Sequence, residues 1–179
     1  MPPAATVPEL LAAGAPDAVA LQGAGGRDAT FADLRATVGA LAGQLRGAGI
    51  SANDRVALVL PNGPGMAAAF LAAATAGTAA PLNPRYREEE LTLSFQELGV
   101  RVVVAAPGAE EIPALPGVRR LDLQGDGLDL TLTENGNPVP AAPGRCVIQH
   151  TGPPRQEAMG GGGGGVVKKG WGGGGGGGG

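Results

Sequence analysis

Apolar runs alternate with helical patterns across residues 54–105, and this alternation constrains the fold of the chain more than any other feature. Three short apolar runs occupy residues 56–60, 79–82 and 102–105, and each pair is separated by a segment with helical periodicity. Runs of this length that alternate with helices are typical of βαβ units on a parallel sheet. The sequence therefore predicts an α/β fold, in which βαβ units form a parallel sheet with flanking helices.

The two helical patterns differ in the side chains that they carry. In residues 65–76, Met66, Phe70 and Ala73 fall on one side and most other residues are small, which lets a helix lie close to a sheet. Residues 87–98 have three glutamates in their first turn, where the helix dipole favours negative charge. The core-facing side of this second helix is predicted to carry Leu91, Phe95 and Leu98.

Two helix starts precede this unit. Thr6 with Glu9, and Thr30 with Asp33, each have the spacing of a capping box. Residues 18–21 are predicted to form a short strand. The helix that follows Thr30 is predicted to bury one apolar stripe, formed by Leu34, Val38, Leu41 and Leu45.

The pattern weakens beyond Pro107. Residues 118–123 are a candidate strand, and residues 128–133 alternate like an exposed one. Three prolines within residues 135–144 predict a linker or a long loop, and residues 145–150 form one further candidate strand. Fifteen of the 20 residues from 160 to 179 are glycine, so this tail has little to bury and is expected to be disordered.

Composition excludes several classes of function. The net charge is −3 and aromatic residues make up 3% of the chain, which argues against nucleic-acid binding. Cys146 is the single cysteine, so a disulfide within one chain is excluded and a reducing cytoplasm is expected. The N-terminus lacks the charged start of a signal peptide. The longest apolar segment, residues 66–76, is too short to span a membrane.

Residues 54–91 read DRVALVLPNGPGMAAAFLAAATAGTAAPLNPRYREEEL. This phrase, preceded by the helix starts TVPELL and TFADL, resembles the N-terminal subdomain of the AMP-dependent synthetase and ligase family, the adenylate-forming acyl-CoA synthetases. The resemblance runs from about Thr6 to Thr151, and PLNPRYREEEL is its most specific part. It implies a carboxylate–CoA ligase, and within the family it points to fatty-acyl or oxalyl-type ligases.

The resemblance implies ATP, Mg²⁺ and CoA as cofactors and a small carboxylic acid as substrate. The acid would attack ATP to form an acyl-adenylate, and the CoA thiol would then attack the adenylate. The family stabilises the phosphate charge with a loop of the form T-S-G-T-T-G-x-P-K, which implies that Thr151 is a nucleotide-binding residue.

The chain departs from the family loop directly after Thr151. It continues with Gly152-Pro153-Pro154-Arg155-Gln156-Glu157, which lacks the hydroxyl groups, and its prolines remove backbone donors. The sequence therefore predicts residues 1–151 as a partial AMP-binding domain that is inactive alone. Residues 152–179 are predicted to be a disordered tail, and the abrupt change suggests a frameshift.

Other candidate sites have plainer interpretations. Residues 63–68 match G-x-G-x-x-A after a strand, but Asn83 stands where a dinucleotide site needs an acid, so a tight turn is favoured. Residues 23–26 lack the third glycine of this motif, and no helix starts there.

His150 has no defined nucleophile partner, and Cys146 reads as a small core residue. Glu88–Glu90 read as a solvated helical turn, and Lys168-Lys169 as part of the tail.

Two further functional interpretations stay open on the sequence. The chain could be a non-catalytic nucleotide- or small-molecule-binding module, or it could be a non-functional gene remnant. In every case an exposed sheet edge is expected to promote self-association, because an unpaired strand offers free backbone groups.

Overall fold

The computed structural model describes residues 6–22 and 28–143. The helices are α1 (Val7–Ala12), α2 (Phe31–Gly47), α3 (Pro64–Ala76) and α4 (Glu88–Leu98). The strands are β1 (Val19–Leu21), β2 (Ala29–Thr30), β3 (Arg55–Val59), β4 (Thr78–Pro81), β5 (Val100–Ala105), β6 (Arg119–Asp126), β7 (Asp129–Glu134) and β8 (Asn137–Pro138). β1 and β2 form a small antiparallel pair, and the other six strands form one sheet in the order β4-β3-β5-β6-β7-β8.

The centre of the large sheet is parallel, as the sequence pattern predicts. β3 lies between β4 and β5, and β6 pairs with β5, all in parallel register. β7 and β8 then continue the sheet in antiparallel register through short turns. The strand predicted at residues 128–133 is present as β7, but its predicted exposure is wrong, because α2 packs on β7 and buries Leu132 and Thr133.

Helices cover both faces of the sheet. On one face, buried residues of α2 and α3 pack against Val56 and Leu58 of β3. On the other face, Leu91 and Phe95 of α4 pack against Ala57 and Val59. Strand β3 is therefore buried on both sides, which explains its continuous apolar sequence.

The capping residues determine where two helices begin. The side chains of Thr6 and Thr30 each accept the N–H group of the residue three positions on, at 3.3 and 3.2 Å. Glu9 and Asp33 in turn accept the backbone N–H groups of the two threonines, each at 3.0 Å. Both predicted capping boxes are confirmed. The four residues predicted for the apolar stripe of α2 are buried.

The side of α3 that faces the core is formed by small residues. Phe70 is 40% exposed, and the buried residues of α3 are all alanines: Ala68, Ala69, Ala72, Ala73 and Ala76. Methyl groups let the helix axis approach α2 and the sheet more closely than a phenyl ring would. On α4, Leu91 and Phe95 are buried as predicted, whereas Leu98 at the last position of the helix is 37% exposed.

The proline-rich segment after β7 is not a free linker. Val139 is buried, its N–H group donates to the carbonyl of Leu132, and the N–H group of Ala142 donates to the carbonyl of Gly43 at 2.9 Å. The carbonyl oxygen of Pro140 occupies the space that a side chain at Gly47 would need. This segment therefore packs along α2. The candidate strand at residues 145–150 and the glycine-rich tail lie outside the described residues.

Candidate functional site

The described part of the chain places its candidate site at the carboxyl ends of β3 and β5. The connection after β3 passes over one face of the sheet to β4, and β5 leads to β6 on the opposite side of β3. Such a reversal of direction is a topological switch point, where open α/β sheets bind their ligands. Two clefts open at this point, one on each face, and Pro61 and Ala106 line both of them.

The α3 cleft, of about 230 Å³, lies between the turn that starts α3 and the β6–β7 hairpin. Leucine and methionine side chains contribute its apolar surface, Asn62 and Asp126 contribute polar side chains, and four glycines contribute backbone. The lining consists of Leu60, Pro61, Asn62, Gly63, Pro64, Gly65, Met66, Ala106, Leu123, Gly125, Asp126, Gly127 and Leu130.

The strand-to-helix turn beside this cleft carries the G-x-G-x-x-A sequence. Gly63 has φ of 155° and precedes Pro64 at the first position of α3, and the helix start has no side-chain cap. A side chain at Gly65 would lie 3.7 Å from Leu123 Cδ2, so Gly65 brings the turn close to the hairpin. Asn83, at the position of the expected acid, accepts the N–H group of Arg85 at 3.0 Å. These contacts favour a structural turn over a dinucleotide site.

The α4 cleft, of about 540 Å³, opens on the other face of the sheet. Val59, Leu91 and Ile112 contribute apolar surface, and these three side chains belong to the core cluster beneath α4. Arg85, Glu110 and Glu111 also line it, so the cleft combines one cation with two anions above an apolar base. Such a cleft suits a small amphipathic ligand.

Sequence reasoning did not single out Asn62, Arg85 or Asp126 as lining residues. Asn62 and Arg85 each follow a predicted strand by a few residues, at the carboxyl edge where ligands bind in parallel sheets. Their position just after a predicted strand is the signal by which Asn62 and Arg85 could have been found. Asp126 gave no such signal, because it joins the cleft through the β6–β7 hairpin, whose packing depends on α2.

The three glutamates of α4 do not form a site in the part of the chain that is described. Glu90 accepts the backbone N–H group of Arg87 at 2.9 Å, and Glu88 and Glu89 are exposed. No group of three or more His, Cys, Asp or Glu side chains among residues 6–22 and 28–143 is placed to hold a metal ion.

The shifted pKa values belong to Asp54, Arg119 and Glu134, which lie in or next to the strands of the sheet. Hydrogen bonds from Ser51, at 2.6 Å from Oγ and 2.8 Å from the backbone N–H, lower the pKa of Asp54, and Arg101 at 3.8 Å adds to this. The two hydrogen bonds from Arg119, at 2.8 and 2.6 Å, lower the pKa of Glu134 and raise that of Arg119. None of these four charged groups lines either cleft.

Several residues that the sequence analysis singled out, among them Thr151, lie outside the described structure. Thr151, His150, Cys146 and Lys168-Lys169 follow residue 143, and the glycines at 23–26 fall in the gap before residue 28. The described residues thus provide the scaffold and two clefts. In that part of the chain no helix is long and apolar enough to cross a membrane.

Comparison with known proteins identifies a family and several relatives. A family model described as "AMP-binding enzyme" matches residues 9–157. Feruloyl-CoA synthase from an Amycolatopsis species is 36% identical over 107 residues, which are 59% of this chain and 22% of that protein. Long-chain-fatty-acid–CoA ligase FadD13 from Mycobacterium tuberculosis is 35% identical over 88 residues, 48% of this chain and 18% of that one.

The fold has close counterparts among solved structures. The crystal structure of MatB from Rhodopseudomonas palustris aligns with 82% of this chain and 30% of its own, with a TM-score of 0.64 and 21% identity. At this identity the likeness concerns the fold alone. The chain spans about a fifth of the length of the curated CoA synthase and ligase that it matches.

Proposed function

Since this chain belongs to the family of AMP-binding enzymes, we propose that it is the N-terminal part of an ATP-dependent carboxylate–CoA ligase. The observation that carries this proposal is the match of the family model to residues 9–157. The names of two relatives, a feruloyl-CoA synthase and a long-chain-fatty-acid–CoA ligase, support a carboxylic acid and CoA as the substrates. The resemblance of PLNPRYREEEL to acyl-CoA synthetases points the same way.

We propose that residues beyond the described part of the chain complete the nucleotide and Mg²⁺ site of the parent enzyme. The α3 cleft of about 230 Å³, beside the strand-to-helix turn, is smaller than the roughly 300–1,000 Å³ of clefts that enclose drug-sized ligands. In the proposed parent enzyme, ATP and Mg²⁺ supply the activated phosphate. The donors that would orient that phosphate begin at Thr151, which we propose as a nucleotide-binding residue of the parent enzyme.

We further propose that the chain does not catalyse ligation by itself. Residues 152–157 read GPPRQE, and this segment offers neither the hydroxyl groups nor the lysine of the family loop. Without these donors, this segment cannot stabilise charge that develops on the α-phosphate as the family loop would. We place the end of the AMP-binding part at Thr151, with residues 152–179 as a separate tail, and we propose a cytoplasmic location.

A pyrophosphate-exchange assay with ATP and a panel of aromatic and aliphatic carboxylates tests the lack of catalysis. We expect exchange at the background rate. Exchange above background that depends on the carboxylate would refute the proposed inactivity while supporting the ligase chemistry. Thermal stabilisation by ATP or CoA without exchange would instead favour a non-catalytic binding module.

A chimera tests the assignment to the ligase scaffold directly. Residues 1–151 of this chain replace the corresponding segment of feruloyl-CoA synthase, whose own phosphate loop is kept. We expect a folded chimera that forms a CoA thioester. A matched chimera with Phe95→Ala, which empties the core beneath α4, should lose stability and activity together. A well-folded chimera that cannot form an acyl-adenylate would contradict the assignment.

A further inference from the structure

The loop between β5 and β6 contributes to both clefts at the carboxyl edge of the sheet. It runs from residue 106 to residue 118. Ala106 lines the α3 cleft and the α4 cleft, and residues 109–112 line the α4 cleft. The position of this loop therefore determines part of the wall of each cleft.

Two Pro-Gly turns build the loop. In the first turn, the N–H group of Ala109 donates to the carbonyl of Ala106 at 3.2 Å, and the second turn, residues 115–118, has the same bond at 3.1 Å. The two turns read APGA and LPGV, and their glycines, Gly108 and Gly117, have φ of 74° and 81°. Proline at the second position and a glycine with positive φ at the third are typical of a type II turn. The loop therefore has a defined backbone conformation.

The two halves of the loop are anchored differently. Ile112, Leu115 and Val118 in the second half pack against the core cluster beneath α4. In the first half, residues 107–108 and 110–111 are exposed. Burial of apolar side chains therefore holds the second turn, but it contributes little to holding the first.

Arg120 of β6 binds the first turn directly. Its Nη1 donates to the carbonyl of Ala109 at 2.7 Å, and its Nη2 donates to the carbonyl of Ala106 at 3.4 Å. Its Nε donates to Oδ1 of Asp122 at 2.9 Å, two residues further along the strand. The rigid fork of guanidinium donors suits this arrangement, because one planar group reaches both ends of the turn while the carboxylate orients it.

The neighbouring Arg119 serves a different part of the fold. The register of β6 on β5 pairs the two arginines with successive valines, which belong to core clusters on opposite faces of the sheet. Arg119 donates to the carboxylate of Glu134 and to the carbonyl of Ala48 at the end of α2. Two arginines that are adjacent in sequence thus hold separate segments, which makes Arg119 a matched control for Arg120.

We propose that Arg120 is a positioning residue for the carboxyl edge of the sheet. Oriented by Asp122, it fixes the first turn and thereby the wall that Ala106 and residues 109–112 give to the clefts. This wall is in place before a ligand binds, which reduces the ordering cost of binding. The inference rests on contacts among described residues and is independent of the ligase function proposed above.

Amide hydrogen exchange on the full chain tests this role. Arg120→Met keeps most of the apolar stem and removes every donor, so exchange of the Ala109 amide should accelerate by about fivefold, the effect of about one lost hydrogen bond. A glutamate-specific protease should also cleave faster after Glu110 or Glu111. The Val118 amide in the second turn should change by less than about twofold, because apolar contacts hold that turn. Unchanged exchange at Ala109 together with unchanged cleavage would overturn the proposal.

Arg119→Met controls for the loss of charge and of overall stability. It removes the neighbouring guanidinium with the same change of net charge, and it should leave Ala109 exchange within about twofold of the unaltered chain. Equal acceleration in Arg119→Met and Arg120→Met would show that the contact with the turn is not responsible, and would overturn the proposal.

Two substitutions at Asp122 test the orientation of Arg120 without removing a donor. Asp122→Ala should accelerate Ala109 exchange, even though the Asp122 carboxylate is hydrogen-bonded to Arg120 rather than to the turn. Asp122→Asn keeps an oxygen acceptor for Nε and should restore slow exchange. Equal Ala109 exchange in the two Asp122 variants would refute the orienting role. If Arg120→Met does not fold, this pair of variants still decides.

Discussion

The side-chain amide of Gln44 binds the edge of β7 as a peptide group of another strand would. Its oxygen accepts the N–H group of Leu132 at 2.9 Å, while its nitrogen donates to the carbonyl of Val139 at 3.0 Å and to Thr131 Oγ1 at 2.9 Å. One side chain of α2 thus joins β7 to the segment after β8. Because Leu132 and Val139 are buried, water cannot replace these bonds without opening the structure.

Gln44→Ala should therefore destabilise the chain by about 1–3 kcal/mol, because it leaves buried backbone groups without partners. Urea unfolding followed by circular dichroism measures the change. Gln96→Ala removes an exposed glutamine from α4 and should change the free energy of unfolding by less than about 0.5 kcal/mol. Equal effects of the two substitutions would contradict the bridging role of Gln44.

Two glycines on α2 should respond to alanine in opposite directions. A side chain at Gly39 meets nothing within 4 Å, so Gly39→Ala should stabilise the helix by about 0.5–1 kcal/mol. A side chain at Gly47 collides with the carbonyl of Pro140, so Gly47→Ala should displace the proline-rich segment and cost about 1–3 kcal/mol. Thermal unfolding compares the two variants. Stabilisation by Gly47→Ala would show that the segment is not packed on α2 in solution.

On α3, changing a small residue should cost more stability than removing a large one, because alanines face the core and Phe70 is partly exposed. Ala72 is fully buried, so Ala72→Leu should cost about 1–3 kcal/mol by overpacking. Phe70, although larger, is partly exposed, so Phe70→Ser should cost less than Ala72→Leu. Denaturant unfolding of both variants checks the order of the two costs. The reverse order would place Phe70 in the core.

Asp54 should make the free energy of unfolding decrease at acidic pH. Its pKa is lowered in the folded chain, chiefly by the hydrogen bond from Ser51, so its contribution is complete above the ordinary value of 3.8. That contribution is lost as the pH falls below 3.8 and through the lower folded pKa. Asp54→Asn should therefore flatten the loss of stability in this range and lower stability near pH 7. Asp126→Asn, at the exposed end of β6, is the matched control. A parallel acid response in Asp54→Asn and the unaltered chain would exclude this contribution.

Local sequence patterns were sufficient to predict the parallel core of the fold and the family of the chain. The helix caps Thr6 and Thr30 could be predicted because their partners lie three residues away in the sequence. Strands β3 and β5 could be predicted because burial of both faces gives them continuous apolar sequences. The carboxyl edge of the sheet, where both clefts lie, follows from the same alternation. The individual lining residues did not follow, because Asp126 and Leu130 reach the α3 cleft through an antiparallel hairpin.

The sequence by itself determined the βαβ order, the helix starts and the resemblance to adenylate-forming ligases, since each depends on residues that are near one another along the chain. The tertiary structure decided which side of α3 is buried, and it decided how the proline-rich segment packs on Gly43 and Gly47. These features depend on contacts such as Gln44 with Leu132, which are 88 residues apart. Only folding brings such groups together, and no local periodicity encodes the distance between them.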